Sequence, residues 1–542
     1  MPSAGDMSYS GEDDFDEFSH VPSRAQPDEA DFVAVVSAIS QAYQRGSYLN
    51  MRPLNNIDWD ELGAGAHFQV SRSKLSFEVV SATTREVTEK VLDQFVIKRI
   101  RENPNRATTR TEHAKFIREL KVLHQLHGQP HIVTLKGVAW FYEHDDGLRP
   151  CPKPVLLLEK ASITLGRLVT TADSLHPDLT MNMVLDIAAG LQAMHREGIV
   201  HGDLKPENVL LFPHVYHADR TYEGFTAKIS DFSNASWQPL TDGAIYYTGG
   251  TRGYVAPELP GELPWDDAKL TDVWSLGMLI TVVVSGSFRF CKQAQSTSVD
   301  QLISMVHEFF RLSVENSAMS LERSLLMRDL CSCTLQKQPQ QRSLDRLVRM
   351  LRDYTERPGV EAYERGEPCV EIIPRLADEQ ITISYQHFKP LSGSVKTAIK
   401  EALQTLVCDM LDPRRSTALF ELAVISLSKY ENPLSTVSEG LDYLRRSAEL
   451  NSPKDTRPKA LYCRIYAAFS DHALIESPGD EEQEWLFEAA VQGHRTAFED
   501  LLGLDSERAE LAWRLRADQD WYTDYMGKFE SSSEFDVLLT RL

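Results

Sequence analysis

The stretch His201-Gly202-Asp203-Leu204-Lys205-Pro206-Glu207-Asn208-Val209-Leu210 decides how this chain is read. Positions 203 to 208 supply a carboxylate from Asp203, an ammonium from Lys205 and an amide oxygen from Asn208. Moving a phosphoryl group onto an alcohol needs such a set. A carboxylate orients the hydroxyl and accepts its proton, a cation stands beside the transferring group, and an oxygen ligand holds Mg2+ close by. A loop suits these residues, because side chains projecting from a loop can converge on one point.

Short motifs flank this stretch on both sides. Upstream lie Val96-Ile97-Lys98 and Phe116-Ile117-Arg118-Glu119-Leu120; downstream lie Asp231-Phe232-Ser233, Ala256-Pro257-Glu258, Asp272-Val273-Trp274 and Arg342. Each alone is weak: a Lys–Glu pair is usually structural, an Asp-Phe tripeptide arises by chance, and a lone Asp usually caps a helix or faces solvent. At this order and spacing, residues 55–355 resemble the eukaryotic protein kinase superfamily, in the variety that lacks an arginine before the catalytic aspartate. The resemblance implies an α+β, two-lobed protein kinase fold using ATP and Mg2+. By it, Asp203 is the catalytic base, Lys98 holds the nucleotide phosphates, and Glu119 pairs with Lys98. Asn208 and Asp231 ligate the metal, Asp272 supports the catalytic loop, and Arg342 is the partner of Glu258.

The same resemblance places the nucleotide. Leu62-Gly63-Ala64-Gly65-Ala66-His67-Phe68-Gln69-Val70 stands where a glycine loop covers the phosphates. Gly63 and Gly65 would let the backbone approach them, with Leu62 and Val70 closing over the base. After the apolar run Val155–Leu158, backbone groups of Glu159 and Ala161 would bond the adenine edge, and Leu210 would floor the pocket. A plain hairpin turn and plain core packing are the bland accounts of these residues. Lys205, two places after Asp203, and Thr251 in Gly250-Thr251-Arg252-Gly253-Tyr254 are the choices of Ser/Thr kinases. Tyr246, Tyr247 and Thr248 are candidate phosphorylation sites in the activation segment.

Departures from the pattern carry information. Phe68 replaces the third loop glycine. Gly202 replaces the arginine that commonly clamps a phosphate on the activation segment, so activity is expected not to depend on that clamp. Ser233 replaces a glycine, and its Cβ restricts the backbone without removing the metal ligand. Ser71–Lys90 is surplus length, expected as an extended surface hairpin, and Phe212–Phe225 is expected as a surface loop.

The whole chain has 542 residues, 42% apolar and 25% charged, with a formal charge of −22. Phosphate would be repelled over most of such a surface, so no nucleic-acid partner is expected. No segment reads as a signal peptide or as a membrane span. Seven scattered cysteines suggest a reducing compartment and buried thiols; a cytoplasmic address is expected, with the nucleus left open. Residues 1–50 form an acidic segment with a helix over Asp31–Tyr43. Residues 51–355 form the kinase domain and 356–394 a proline-containing linker. Residues 395–542 form an all-α, helical-repeat-like domain. There, 443–451 echoes 485–493 in a way similar to Sel1-like repeats, and stacked helix pairs would offer a surface to a protein partner.

The leading expectation is an ATP-dependent Ser/Thr protein kinase acting on protein substrates and coupled to that module. The alternative is a pseudokinase scaffold that binds nucleotide without transferring phosphate. Residues 1–31 hold nine acidic residues and one basic residue, the composition of a solvated tail. Deleting residues 1–30 is therefore expected to leave phosphate transfer nearly unchanged; a several-fold rise would identify an autoinhibitory arm instead.

Overall fold

Phe95-Val96-Ile97-Lys98-Arg99-Ile100 is apolar on both faces of a strand, the pattern of a strand covered from both sides. In the computed structural model it is an inner strand of a six-stranded sheet. The structure describes residues 31–45, 49–50, 60–64, 68–72, 75–80, 87–92, 95–100, 110–142, 152–171, 177–215, 223–239, 244–247, 250–316, 319–357, 393–427 and 433–450, plus short pieces at 381–391 and 486–515.

The first elements are helix α1 (Phe32–Arg45), β1 (Leu49–Asn50), β2 (Asp60–Ala64), β3 (Phe68–Arg72), β4 (Leu75–Val80), β5 (Val87–Leu92), β6 (Phe95–Ile100), α2 (Arg110–Gln125), β7 (Leu135–Tyr142) and β8 (Pro152–Glu159). The sheet runs β1-β7-β8-β6-β3-β2. β3 pairs antiparallel with β6, setting Val70 opposite Lys98. β4 and β5 form a separate antiparallel hairpin, as expected for the surplus Ser71–Lys90.

Further along come β9 (Ile163–Thr164), α3 (Leu165–Thr171), α4 (Pro177–Arg196), β10 (Ile199–Val200), β11 (Val209–Val215), β12 (Glu223–Ile229), β13 (Ser236–Trp237), β14 (Ala244–Tyr247), β15 (Gly261–Pro264), α5 (Trp265–Ser285), α6 (Arg289–Gln293), α7 (Val299–Glu315), α8 (Leu321–Ser332) and α9 (Leu344–Thr355). The expectation of a surface loop over Phe212–Phe225 needs correction. β11 continues to Val215 and pairs with β12 residue for residue, Val215 lying opposite Glu223. Pro213 is tolerated there because β9 pairs only with Leu210 and Leu211. Beyond them that side of β11 is an edge, where a missing N–H costs no ladder bond.

α5 is apolar around its whole circumference, and its composition and length would suffice to cross a membrane. Yet 72% of its most apolar window is buried inside the fold, so it is a core helix. It stops at Gly286, whose left-handed φ of 62° lets its N–H reach the Val282 carbonyl. Ser298, Ser320 and Ser343 cap α7, α8 and α9 by accepting a backbone N–H from the first turn.

By compactness the chain forms two units. One comprises Ala114–Leu135 and Leu158–Pro374; the other comprises Ala30–His113, Lys136–Leu157 and Arg375–Leu542. The second unit thus joins the sheet and α1 with C-terminal helices Gly393–Cys408, Arg415–Leu427, Pro433–Glu449 and Ser506–Leu515. Arg415–Leu427 and Pro433–Glu449 pack side by side. Small residues let them approach: the Ser447 hydroxyl donates to the Ser416 carbonyl at 2.7 Å, and Ala418 and Ala448 are buried. The second copy of the sequence echo, 485–493, falls mostly outside the described residues, as do Gly65 and the 358–374 part of the linker.

α1 is the element that ties this unit together. Val33, Val35, Val36, Ala38, Ile39 and Ala42 are all buried, and so are Ser37, Ser40 and Gln41, so the helix is covered on every side. At its start Phe32 meets Trp140 of β7 edge-on at 5.8 Å and His113 of α2 at 6.5 Å. Asp31 caps the helix through Oδ1, 2.9 Å from the Ala34 N–H, and its Oδ2 pairs with Arg414 at 2.7 Å, just before helix Arg415–Leu427. Ile39→Asp would bury an unpaired carboxylate and is expected to cost about 3 kcal/mol or more. It should also make residues 393–450 sensitive to protease. An unchanged denaturation midpoint would show that α1 is peripheral.

Candidate active site

β10 and β11 bracket the loop 201–208, so its anchors are the strand ends and the helices beneath. The deepest anchor is Asp272, 1% exposed in α5. Its Oδ2 accepts the His201 N–H at 2.8 Å and His195 Nε2 at 3.0 Å, while its Oδ1 accepts the Gly202 N–H at 3.0 Å. Three donors compensate the burial of one carboxylate. Gly202 has φ 77°, a left-handed conformation that a side chain would strain, so glycine in place of arginine suits the backbone here. His201 accepts the Asp203 N–H at Nδ1, 3.2 Å, and faces the Ser230 carbonyl with Nε2, 3.1 Å. That pattern fits the tautomer with its proton on Nε2.

With the backbone so held, the predicted catalytic trio converges. Thr251 donates to Asp203 Oδ1 from its N–H at 2.9 Å and from its hydroxyl at 2.7 Å. Lys205 Nζ lies 2.9 Å from Asp203 Oδ2 and 2.6 Å from the Thr251 hydroxyl. Asn208 Nδ2 donates to the Asp203 carbonyl at 2.8 Å and stands 3.4 Å from its Oδ2. Asn208 therefore spends its amide nitrogen on the loop, leaving Oδ1 as the atom of a kind a hard cation takes. A hollow beside Asp203 is lined by Gly250, Thr251, Tyr254, Val255, Ala256 and Leu259.

Asp231 follows Ser230, whose N–H and hydroxyl both donate to the Asn208 carbonyl at 2.9 Å. Ser230 thus ties the backbone just before Asp231 to that of Asn208, and both of these residues carry side-chain oxygens, the atoms a hard cation takes. Asp231 has φ 61°, rare for a residue with a side chain. Phe232 is fully buried and meets the His201 ring edge-on at 5.6 Å.

The segment after the site is pinned separately. Arg342, fully buried in side chain, grips Glu258 through both carboxylate oxygens at 2.5 and 2.9 Å. It also donates to the Gln336 and Leu270 carbonyls and lies over the Trp274 ring. Gly253 has φ 92°, and a Cβ there would come within 2.5 Å of the Cys291 carbonyl oxygen. Burial drives the Tyr254 phenol well above its usual range and pushes the neighbouring Cys291 thiol up to about 11, so both stay protonated near neutrality. Cys331 and Cys333 are also buried, and burial raises both.

The remaining predicted residues are placed as follows. Glu159, at the end of β8, donates its N–H to the Thr134 carbonyl at 3.1 Å. Its side chain accepts from Thr134 N–H and Lys228 Nζ. Leu210 is half-buried in β11 across from Thr164, and Ala161 lies between β8 and β9. Glu119 is buried in the part of α2 that belongs to the first unit. In the second unit, Lys98 is buried in β6 directly opposite half-buried Val70. Leu62 sits at a register shift between β2 and β3, with Gly63 opposite Val70. Tyr246 and Tyr247 fall in β14, and Thr248 lies outside the described residues.

Two supporting residues escaped sequence reasoning. Asp186 in α4 is buried and accepts the Ala227 N–H of β12 at 3.0 Å, and His195 props Asp272. No motif marks either one.

Comparison with known proteins gives the same picture. A protein kinase domain model matches residues 78–349. A calcium/calmodulin-dependent protein kinase type 1 from Macrobrachium nipponense is 27% identical over 275 residues, half of this chain and 69% of that protein. CBL-interacting protein kinase 20 from Oryza sativa subsp. japonica is 33% identical over 138 residues, 25% of this chain and 28% of that protein. CBL-interacting serine/threonine-protein kinase 5 from Arabidopsis thaliana is 32% identical over 143 residues, 26% of this chain and 28% of that protein. The chain thus spans under a third of both CBL-interacting relatives.

Asp272→Ala would strand two buried N–H groups and the His195 ring. It is expected to lower stability by about 3 kcal/mol in urea unfolding. Asp272→Asn, which keeps one acceptor oxygen, should cost less. Equal stability of wild type and Asp272→Ala would show that the loop is held elsewhere.

Proposed function

The chain belongs to the protein kinase family, and from that premise we propose that it is an ATP-dependent Ser/Thr kinase acting on proteins. The observation that carries this reading is the convergence of Asp203, Lys205 and Thr251 within hydrogen-bonding distance. Neither Asp203 nor Asp231 is replaced, and the Lys98, Glu119 and Asn208 positions keep their residue types.

In the proposed mechanism ATP with Mg2+ supplies a phosphoryl group whose charge is partly neutralised. The chain does the rest by positioning and electrostatics. Four donors around the Asp203 carboxylate keep it aimed, so that it can orient an incoming hydroxyl and take its proton. Lys205 places its ammonium beside Asp203 Oδ2, where it would stand next to the transferring phosphoryl group, and Thr251 holds both groups in register. Asn208 and Asp231 are the residues that would hold the metal. Lys98 would hold the phosphates. In the second unit Leu62, Gly63, Gly65 and Val70, and in the first Ala161, Leu210 and the Glu159 carbonyl, are the positions that the family resemblance assigns to the nucleotide. The C-terminal helices, resembling repeats that stack in pairs, are proposed to bind a protein partner.

The test is phosphate transfer from ATP and Mg2+ to a generic basic protein, with autophosphorylation scored alongside. Wild type should label Ser and Thr, and Asp203→Asn should lose about 10²–10⁴-fold in rate. A folded wild-type chain that binds Mg·ATP yet transfers nothing would establish the scaffold reading. Phe68, Gly202 and Ser233 are the departures that keep that reading in view.

A further inference from the structure

The third residue of Asp231-Phe232-Ser233 is joined to its surroundings at both ends. The Ser233 hydroxyl donates to Asp231 Oδ1 at 3.0 Å. Its carbonyl accepts Arg118 Nη1 at 2.9 Å, a bond 115 positions long in sequence, from the α2 residue that precedes Glu119. Ser233 itself is 7% exposed, so the hydroxyl is not competing with bulk water for its acceptor. A glycine at 233 could keep the Arg118 bond but could make no bond to Asp231.

Asp231 needs such support. Its φ of 61° is a conformation a residue with a Cβ adopts at a cost, and it persists only when the surroundings over-determine it. Ser230 fixes the backbone just before it, and Phe232, fully buried against His201, fixes the backbone just after. Those contacts set where the Asp231 main chain lies, and the Ser233 hydroxyl adds a bond to the carboxylate itself.

We propose that Ser233 is a positioning residue for the metal ligand Asp231. Its hydroxyl fixes the carboxylate's rotation, and its carbonyl is held to α2 by Arg118. The bond from Ser233 is made to Oδ1, so it bears directly on how the carboxylate would meet a cation. An outer hydrogen bond to a ligating carboxylate typically changes metal affinity by about 10- to 100-fold. The serine at 233 therefore gives the Asp231 carboxylate a bond that a glycine could not supply. This inference rests on the reading of Asp231 and Asn208 as metal ligands.

The test uses the full-length chain with ADP and Mn2+ as the probe, free Mn2+ being read by electron paramagnetic resonance. Ser233→Ala keeps the Cβ and the backbone restriction and deletes only the hydroxyl; Ser233→Thr keeps the hydroxyl. Ser233→Ala is expected to weaken Mn2+ binding by about tenfold, with ADP binding in chelator unchanged. Ser233→Thr should stay close to wild type. In phosphate transfer, Ser233→Ala should raise the Mg2+ concentration for half-maximal rate while leaving kcat at saturating Mg2+ nearly intact. Unchanged Mn2+ affinity in folded Ser233→Ala overturns the role of Ser233 and leaves the kinase reading standing. Equal weakening in the Ala and Thr variants overturns it too, because shape and not the hydroxyl would then matter. Absence of any nucleotide-dependent Mn2+ binding by wild type overturns both the metal assignment and this inference.

Discussion

A buried carboxylate must be surrounded by donors or it unfolds what contains it, and Asp272 turns that requirement into a scaffold. The other buried hydroxyls of its helix, Thr271, Ser275 and Thr281, donate to main-chain carbonyls, so the donors it needs come from elsewhere. They come from the two peptide groups just before Asp203 and from His195. Satisfying Asp272 therefore fixes the two consecutive peptide planes of His201 and Gly202. The direction of the Asp203 side chain follows from that, and Thr251 and Lys205 can meet it only because it is fixed. The site is a consequence of core electrostatics before it is a consequence of anything at its surface.

What was legible in the sequence was what is local. Asp203, Lys205 and Asn208 declare a chemistry within a few residues, and the β4–β5 hairpin declares itself by surplus length. Thr251 was legible because the segment around it is itself a pattern. Asp186 and His195 were not. Each sits among the apolar residues of α4, and its partner lies 41 or 77 positions away. A buried polar residue in a helix shows in sequence only as a break in an apolar pattern, which a surface position produces equally well. The extent of β11 was hidden for a related reason. Pro213 and the polar residues around it read as a loop, and only the edge position on one side of β11 makes a proline acceptable there.

α1 carries the same lesson at larger scale. Its apolar spacing predicts a helix, and the helix exists. Spacing does not reveal that Ser37, Ser40 and Gln41, on the polar side of the wheel, are buried as well. A helix that looks amphipathic but is covered all round must have layers on more than one side. Here β7 and α2 meet its first residue, and the approach to the C-terminal helices meets its cap through Arg414. Asp31 serves two ends at once, with one oxygen on its own helix and the other on Arg414. The acidic composition that marks residues 1–31 as tail-like therefore ends on a residue with a structural task, and composition alone could not draw that boundary.

The two left-handed positions near the site show how backbone and side chain share the work. At 202 the conformation is met by glycine, which costs little strain and offers no side chain. At 231 it is met by aspartate, a residue with a side chain, and the strain has to be absorbed by neighbours. Ser230, Phe232 and Ser233 each hold a different part of that residue: the peptide before it, the ring packed after it, and the carboxylate itself. A sequence motif records that aspartate and phenylalanine belong there. It leaves the third position open, because what that position must do depends on how much of the strain the first two already hold.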